Sequence, residues 1–289
     1  MSTVAESFFV DVEPGPLGRR FGVCHRPAAG PVRAALVYVH PFAEEMNKSR
    51  RMVSQQARRL ASAGYLVLQM DLLGCGDSAG DFGDATWARW VDDVLAACRH
   101  AQTLVPGVPL WLWGLRAGCL LAAEAAARLD PATPLLFWQP TPNGAPILQQ
   151  FLRLKAAGEM LSGGAKGVVD GLRAELAANQ PVEVAGYTLN PGLAQGLQKA
   201  SLRPVPTRVE WLEVSAQPEA GWSPAAQMAL QGWQRAGAAL RSSLLSGPPF
   251  WHTTEIEDAP ALWDATLAAL QADAAQAPAL PAIAGSVAA

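Results

Sequence analysis

Apolar residues fall along this chain in two alternating patterns. Short unbroken runs, ALVYVH (35–40), YLVLQMD (65–71), PLWLWG (109–114) and PLLFWQ (134–139), read as strands buried on both faces. Between them the apolar positions spread to helical spacing over 46–63, 85–104 and 117–129, with Trp87, Trp90, Val94 and Leu95 on one stripe of the second. Such alternation predicts an α/β fold built on a mostly parallel sheet with helices on its faces. FFVDV (8–12) and RFGVCHR (20–26), joined by a Pro/Gly turn, read as an opening hairpin.

After Gln139 the alternation stops. Residues 140–204 read as mostly helical, broken by Gly and Pro, with no convincing strand, and so as a helical lid inserted into the core. Strand and helix patterns resume at TRVEWLEV (207–214), a helix over 223–238, LRSSLLSG (240–247) and a helix over 259–272. The expected organisation is a core of 1–139 and 205–272, a lid of 140–204 and a disordered Ala/Pro-rich tail over 273–289.

Composition narrows the partners. Half the residues are hydrophobic, enough for a sizeable core, and 22 basic against 25 acidic residues leave no charged block to track a phosphate backbone, so nucleic acid is not an expected partner. No apolar run reaches the length of a membrane span, and the N-terminus lacks the pattern of a secretory signal. Four scattered cysteines form no C-x-x-C pair, and we read them as reduced thiols of a cytoplasmic protein. The four histidines make no spaced ligand set and no phosphate-binding loop is present, so neither metal nor cofactor is expected.

The chemistry concentrates at Gly114-Leu115-Arg116-Ala117-Gly118, which has the G-x-S-x-G spacing of a nucleophile elbow between strand and helix. Arginine stands where the nucleophile would be, and a guanidinium, protonated at any physiological pH, has no lone pair with which to attack an acyl carbon. At a helix N-terminus it would instead make an anion site with Gly114 and Gly118 shaping the turn, or close a salt bridge to Glu44, Glu45 or a nearby acid. His252, after the last strand, is the histidine candidate for general-base work, with Glu219, beyond TRVEWLEV, as the first choice of partner acid and Glu213, at that strand's end, as the second.

His40-Pro41 ending one strand, the D-x-x-G-x-G-x-S string from Asp71 to Ser78, and the elbow together resemble the α/β-hydrolase superfamily. HPFAEEMNKSRRM (40–52), DLLGCGDSAGDF (71–82), FWQPTPNGAPILQQFLRLK (137–155) and GPPFWHTTEI (247–256) resemble more narrowly the second of the two hydrolases associated with the exosortase A system, over roughly residues 5–272. That resemblance implies an α/β-hydrolase fold with a lid, a hydrolase of the ester or thioester class, and a setting among exosortase, PEP-CTERM and exopolysaccharide proteins, one of which would be a partner. By position, His40, Pro41 and Phe42 would form the oxyanion-side loop, Arg116 the elbow and His252 the triad histidine. Two functions therefore stay open: hydrolysis of an acyl substrate with His252 as base, or a non-catalytic pseudo-hydrolase that binds an anionic ligand or partner in the same cleft.

Overall fold

The computed structural model describes residues 3–129, 133–160 and 167–274. Ten strands and eight α-helices follow one another as β1 (Thr3–Asp11), β2 (Arg19–Pro27), β3 (Ala35–Val39), α1 (Glu44–Ser62), β4 (Leu66–Met70), α2 (Trp87–Leu104), β5 (Leu110–Leu115), α3 (Ala117–Ala126) and β6 (Leu135–Trp138) among the described residues. Then come α4 (Ala145–Met160), α5 (Val168–Ala177), β7 (Val182–Val184), β8 (Tyr187–Leu189), α6 (Pro191–Lys199), β9 (Arg208–Ser215), α7 (Pro224–Arg235), β10 (Ala239–Ser246) and α8 (Pro260–Ala274).

Eight strands form one sheet in the order β1-β2-β4-β3-β5-β6-β9-β10. β1 and β2 pair antiparallel, β2 joins β4 antiparallel, and the rest is parallel. The central strands β3, β5 and β6 are apolar throughout because helices cover both faces, which removes the polar alternation of a half-exposed sheet. On one face Leu36, Trp111, Trp113, Leu136 and Trp138 pack with α1 and α8; on the other Val37, Leu112, Phe137 and Trp211 pack with α2, α3 and α7.

The stretch from 140 to 204 contains a hairpin that its sequence did not suggest. β7 and β8 pair antiparallel around Ala185 and Gly186, both at positive φ, the backbone a two-residue hairpin turn demands. Three residues per strand are too few for alternation to stand out from a helical background. The tail beyond residue 274 lies outside the described residues. No helix among the described residues is long and apolar enough to cross a membrane.

Candidate active site

The site begins where β5 meets α3. A Cβ at Gly114 would lie 2.6 Å from the Cys119 backbone, and one at Gly118 would lie 2.1 Å from the Val39 carbonyl oxygen, so only glycine lets strand and helix approach this closely. Between them Arg116 is held at φ 55°, ψ −117°, a conformation that costs a side-chain-bearing residue roughly 1–3 kcal/mol. Its N–H donates to the Trp138 carbonyl at 3.0 Å, tying the turn to the neighbouring strand. The elbow is thus fully formed, and the side chain it presents at the C-terminal edge of the sheet is a guanidinium.

That guanidinium meets Glu45. The carboxylate sits in the first turn of α1, launched by a second strained residue, Ala43, at φ 49° and ψ −126°. Arg116 Nε lies 3.3 and 3.4 Å from the two Glu45 oxygens and Nη2 lies 3.2 Å from Oε1, with 16% and 11% of the two side chains exposed. These contacts are longer than the roughly 2.7–2.9 Å of a tight charge-assisted bond. Burial pushes the Glu45 carboxyl above its ordinary range, and the Arg116 charge offsets only part of that. The guanidinium also lies 5.5 Å from the centre of the Trp251 ring.

His252 completes the cluster. Its Nε2 is 3.3 Å from Glu45 Oε1 and 3.2 Å from Gln150 Nε2, so the Nε2–H tautomer donates to Glu45 and the other accepts from Gln150. Burial, then the charges of Arg116 and Lys48, hold the imidazole below its ordinary pKa and hence neutral at pH 7. Lys48 Nζ donates to the His252 carbonyl at 3.3 Å, fixing the loop against α1.

Neither acid expected from the sequence touches this imidazole. Glu213 is on β9 two residues from Trp211, on the same face, and Trp211 Nε1 donates to it at 2.7 Å. Burial raises its pKa while that bond and the Arg116 charge oppose the rise, so it shares the field of the cluster without joining it. Glu219 stands in a short 3-10 turn, Pro218–Ala220, that follows β9, and makes no hydrogen bond or ion pair among the described residues. The carboxylate beside His252 comes instead from the opposite half of the chain, in the HPFAEE loop, where Glu45 was legible only as a salt-bridge partner of Arg116.

In the loop that the resemblance puts on the oxyanion side, the His40 ring is bonded through both nitrogens. Nδ1–H donates to the Pro41 carbonyl at 2.8 Å, and Nε2 accepts from the Leu72 N–H at 3.3 Å, which spends both ring nitrogens on the loops. Phe42, beyond Pro41, is the residue of that loop that faces the site. Ser49 Oγ donates to the Met46 carbonyl, Ser78 Oγ to the Asp71 carbonyl, and Cys119 is fully buried with burial holding its thiol protonated.

Over the cluster opens a cavity of about 140 Å³. Phe42, Ile147, Phe151, Leu154 and Trp251 form its apolar wall, and Glu44, Glu45, Lys48, Gln150 and His252 its polar side. Ile147, Gln150, Phe151 and Leu154 are one face of α4, while Leu152, on the other side, is buried in the core. Tyr187 of β8 reaches down from the inserted segment, its hydroxyl donating to Glu44 at 2.8 Å and its ring against Phe82 and Phe151. Among the described residues no group of His, Cys, Asp and Glu could hold a metal ion.

This architecture is shared with solved structures. Over 93% of its length the chain matches all of Est1E from Butyrivibrio proteoclasticus with ferulic acid bound, at a TM-score of 0.64 and 16% identity. It likewise matches XC6422 from Xanthomonas campestris, described as an α/β serine hydrolase without lid, over 96% of this chain and 97% of that one (TM-score 0.55, 18% identity). The chain has the α/β-hydrolase fold. Residues 30–164, which carry β3 through α4 and hence the elbow, match the family model described as serine aminopeptidase, S33. A thermostable carboxyl esterase from Bacillus coagulans is also similar (TM-score 0.56, 16% identity, 86% of this chain and 91% of that one). No curated protein is significantly similar in sequence.

Within the α/β-hydrolase fold the elbow presents the residue that attacks the substrate, and a positive field receives the oxyanion that forms. Here the elbow presents Arg116, and the Glu45 carboxylate lies against it. A buried negative group at that point opposes the build-up of a second negative charge.

Proposed function

We propose that this protein is a pseudo-hydrolase: an α/β-hydrolase-fold chain without a serine nucleophile that binds a small amphipathic anion in the cavity above the elbow. The observation that carries the reading is the Arg116–Glu45–His252 cluster, in which the position of the attacking group is taken by a cation paired with the Glu45 carboxylate. A ligand carboxylate approaching past Lys48 exchanges with Glu45 on the guanidinium fork, and its apolar part lies against Phe42, Phe151 and Trp251. A cavity of about 140 Å³ accepts one ring or a short acyl chain, since about 150 Å³ accommodates benzene.

The resemblance of residues 40–52, 71–82, 137–155 and 247–256 to the exosortase A-associated hydrolases supports a setting in the exosortase, PEP-CTERM and exopolysaccharide system. The buried free thiols of Cys24, Cys75, Cys98 and Cys119 agree with a cytoplasmic location. A second reading, hydrolysis of an ester or thioester by water activated at His252, is favoured by one observation, the 3.3 Å approach of its Nε2 to Glu45.

The binding reading is tested by thermal-shift titration with short aliphatic and aromatic carboxylates, comparing wild type with Arg116→Ala. Stabilisation of the wild type that the variant loses is the expected result. Equal stabilisation of both proteins sinks the anion site at Arg116.

A further inference from the structure

On the far side of α1 from the elbow is a second, larger cavity, of about 350 Å³. α1 divides the two: Glu45 and Lys48 face the elbow, whereas Met46, Arg50, Val53, Ser54 and Arg58, spaced along one helical stripe, face the sheet margin where β2 joins β4. The floor of this second cavity is a row across three strands. Val23, Gln69 and Tyr38 are register partners on β2, β4 and β3, with His25 next along β2 on the same face.

Three features of this cavity call for a ligand. The Tyr38 hydroxyl and His25 Nδ1 are buried and meet no hydrogen-bond partner within 3.5 Å, with Ser49 near the first and Gln69 near the second as their weak neighbours. Buried polar groups left without partners are costly, and a polar occupant would satisfy them. Arg58 stands at the rim without an acidic partner among the described residues, and Arg50 shares the cavity with a single carboxylate, Asp71, at 3.6 Å. Two guanidinium groups against one carboxylate leave the mouth positive. Arg50 and Arg58 are eight positions apart, about 12 Å along the helix, so an anion at the mouth is flanked by both.

We propose that this cavity is a second binding site, separate from the elbow, for a small hydroxylated anion, a phosphate monoester or a carboxylate. The anionic group is held at the mouth by Arg50 and Arg58, and the hydroxyls of the body bond to Tyr38, His25, Gln69 and Ser54. Arginine supplies the forked recognition of phosphate or carboxylate oxygens, and the floor groups, all neutral, suit hydroxyls rather than a second charge.

The test is calorimetric titration of the full chain with inorganic phosphate, glucose 6-phosphate, gluconate and glucose at constant ionic strength. It is repeated on Arg58→Gln, Tyr38→Phe and Arg116→Ala. Arg58→Gln removes no existing ion pair and Tyr38→Phe keeps the ring that packs on Trp113, so both should fold as the wild type does. The expected result is binding of the hydroxylated anions but not of glucose, weakened about tenfold in Arg58→Gln and several-fold in Tyr38→Phe and unchanged in Arg116→Ala, the size of losing one charge-assisted or one neutral bond. Absence of binding by every anion overturns the proposal. So does full affinity in both cavity variants, or loss of binding in Arg116→Ala, which would place the anion at the elbow.

Discussion

Replacing Glu45 by Gln distinguishes a structural salt bridge from one kept for ligand exchange. At 3.2 Å and an effective dielectric constant near 20, the attraction of Arg116 and Glu45 is about 5 kcal/mol. Taking the two charges out of water costs several kcal/mol per ion. The carboxyl pKa reports which is larger: burial raises it by more than Arg116 lowers it, so the ionised side chain is net unfavourable in the fold. A carboxyl held above its ordinary value of 4.5 keeps its proton longer in the folded chain than in the unfolded one. Its contribution to stability is therefore present below about pH 4.5 and is lost as pH rises through the folded value. Gln, uncharged at every pH and nearly isosteric, lacks that loss. We expect Glu45→Gln to be within about 1 kcal/mol of wild type at pH 7 or more stable, although removing one member of a buried pair ordinarily costs about 3–5 kcal/mol. Urea denaturation over a range of pH measures this, with the slopes of the two transitions compared to confirm that the unfolded states match. The same variant, with its guanidinium unmasked, should bind small carboxylates more tightly. A loss of about 3 kcal/mol or more at pH 7 would refute the reasoning and make the pair a structural brace.

Other outcomes follow from neighbouring features. Asp93→Ala should cost about 3–5 kcal/mol in urea denaturation, because it strands the almost fully buried Arg20, which donates to Asp93 at 2.9 Å, and the Leu73 N–H at 2.8 Å. Gly118→Ala should cost about 3 kcal/mol or more, or prevent folding, since the added methyl carbon meets the Val39 carbonyl rather than a side chain that can turn away; near-wild-type stability would mean that β3 and α3 are less closely packed than they are here. Arg116→Ala should abolish the stabilisation by carboxylates at the elbow and leave phosphate binding beside Arg58 intact.

The fold was readable because its central strands are apolar on both faces: ALVYV, LWLWGL and LLFW stand out from the amphipathic helices between them with no help from tertiary context. The β7–β8 hairpin was not, since VEV and YTL are too short to carry a period and their turn, Ala185-Gly186, lacks the stronger Asn-Gly signal. The elbow was legible from Gly114 and Gly118, and the arginine between them from the residue itself. The partner of His252 was hidden for a different reason. Chain order suggested an acid after β9, but the side chain of Glu213 faces Trp211 and is captured there, while the strained entry at Ala43 aims Glu45 at both Arg116 and His252. Which carboxylate reaches an imidazole depends on how two loops from opposite halves of the chain meet, and that is written in neither loop alone. The same holds for His40, whose two nitrogens are consumed by Pro41 and Leu72.

With a guanidinium at the elbow, paired with Glu45, no acyl-transfer activity is expected. The most direct measurement is hydrolysis of short- and long-chain acyl esters and acyl thioesters by the purified wild-type protein, with His252→Ala alongside. The prediction is no turnover above the uncatalysed rate in either protein. Turnover by the wild type that disappears in His252→Ala would contradict the account and establish a hydrolytic site built on His252 and Glu45.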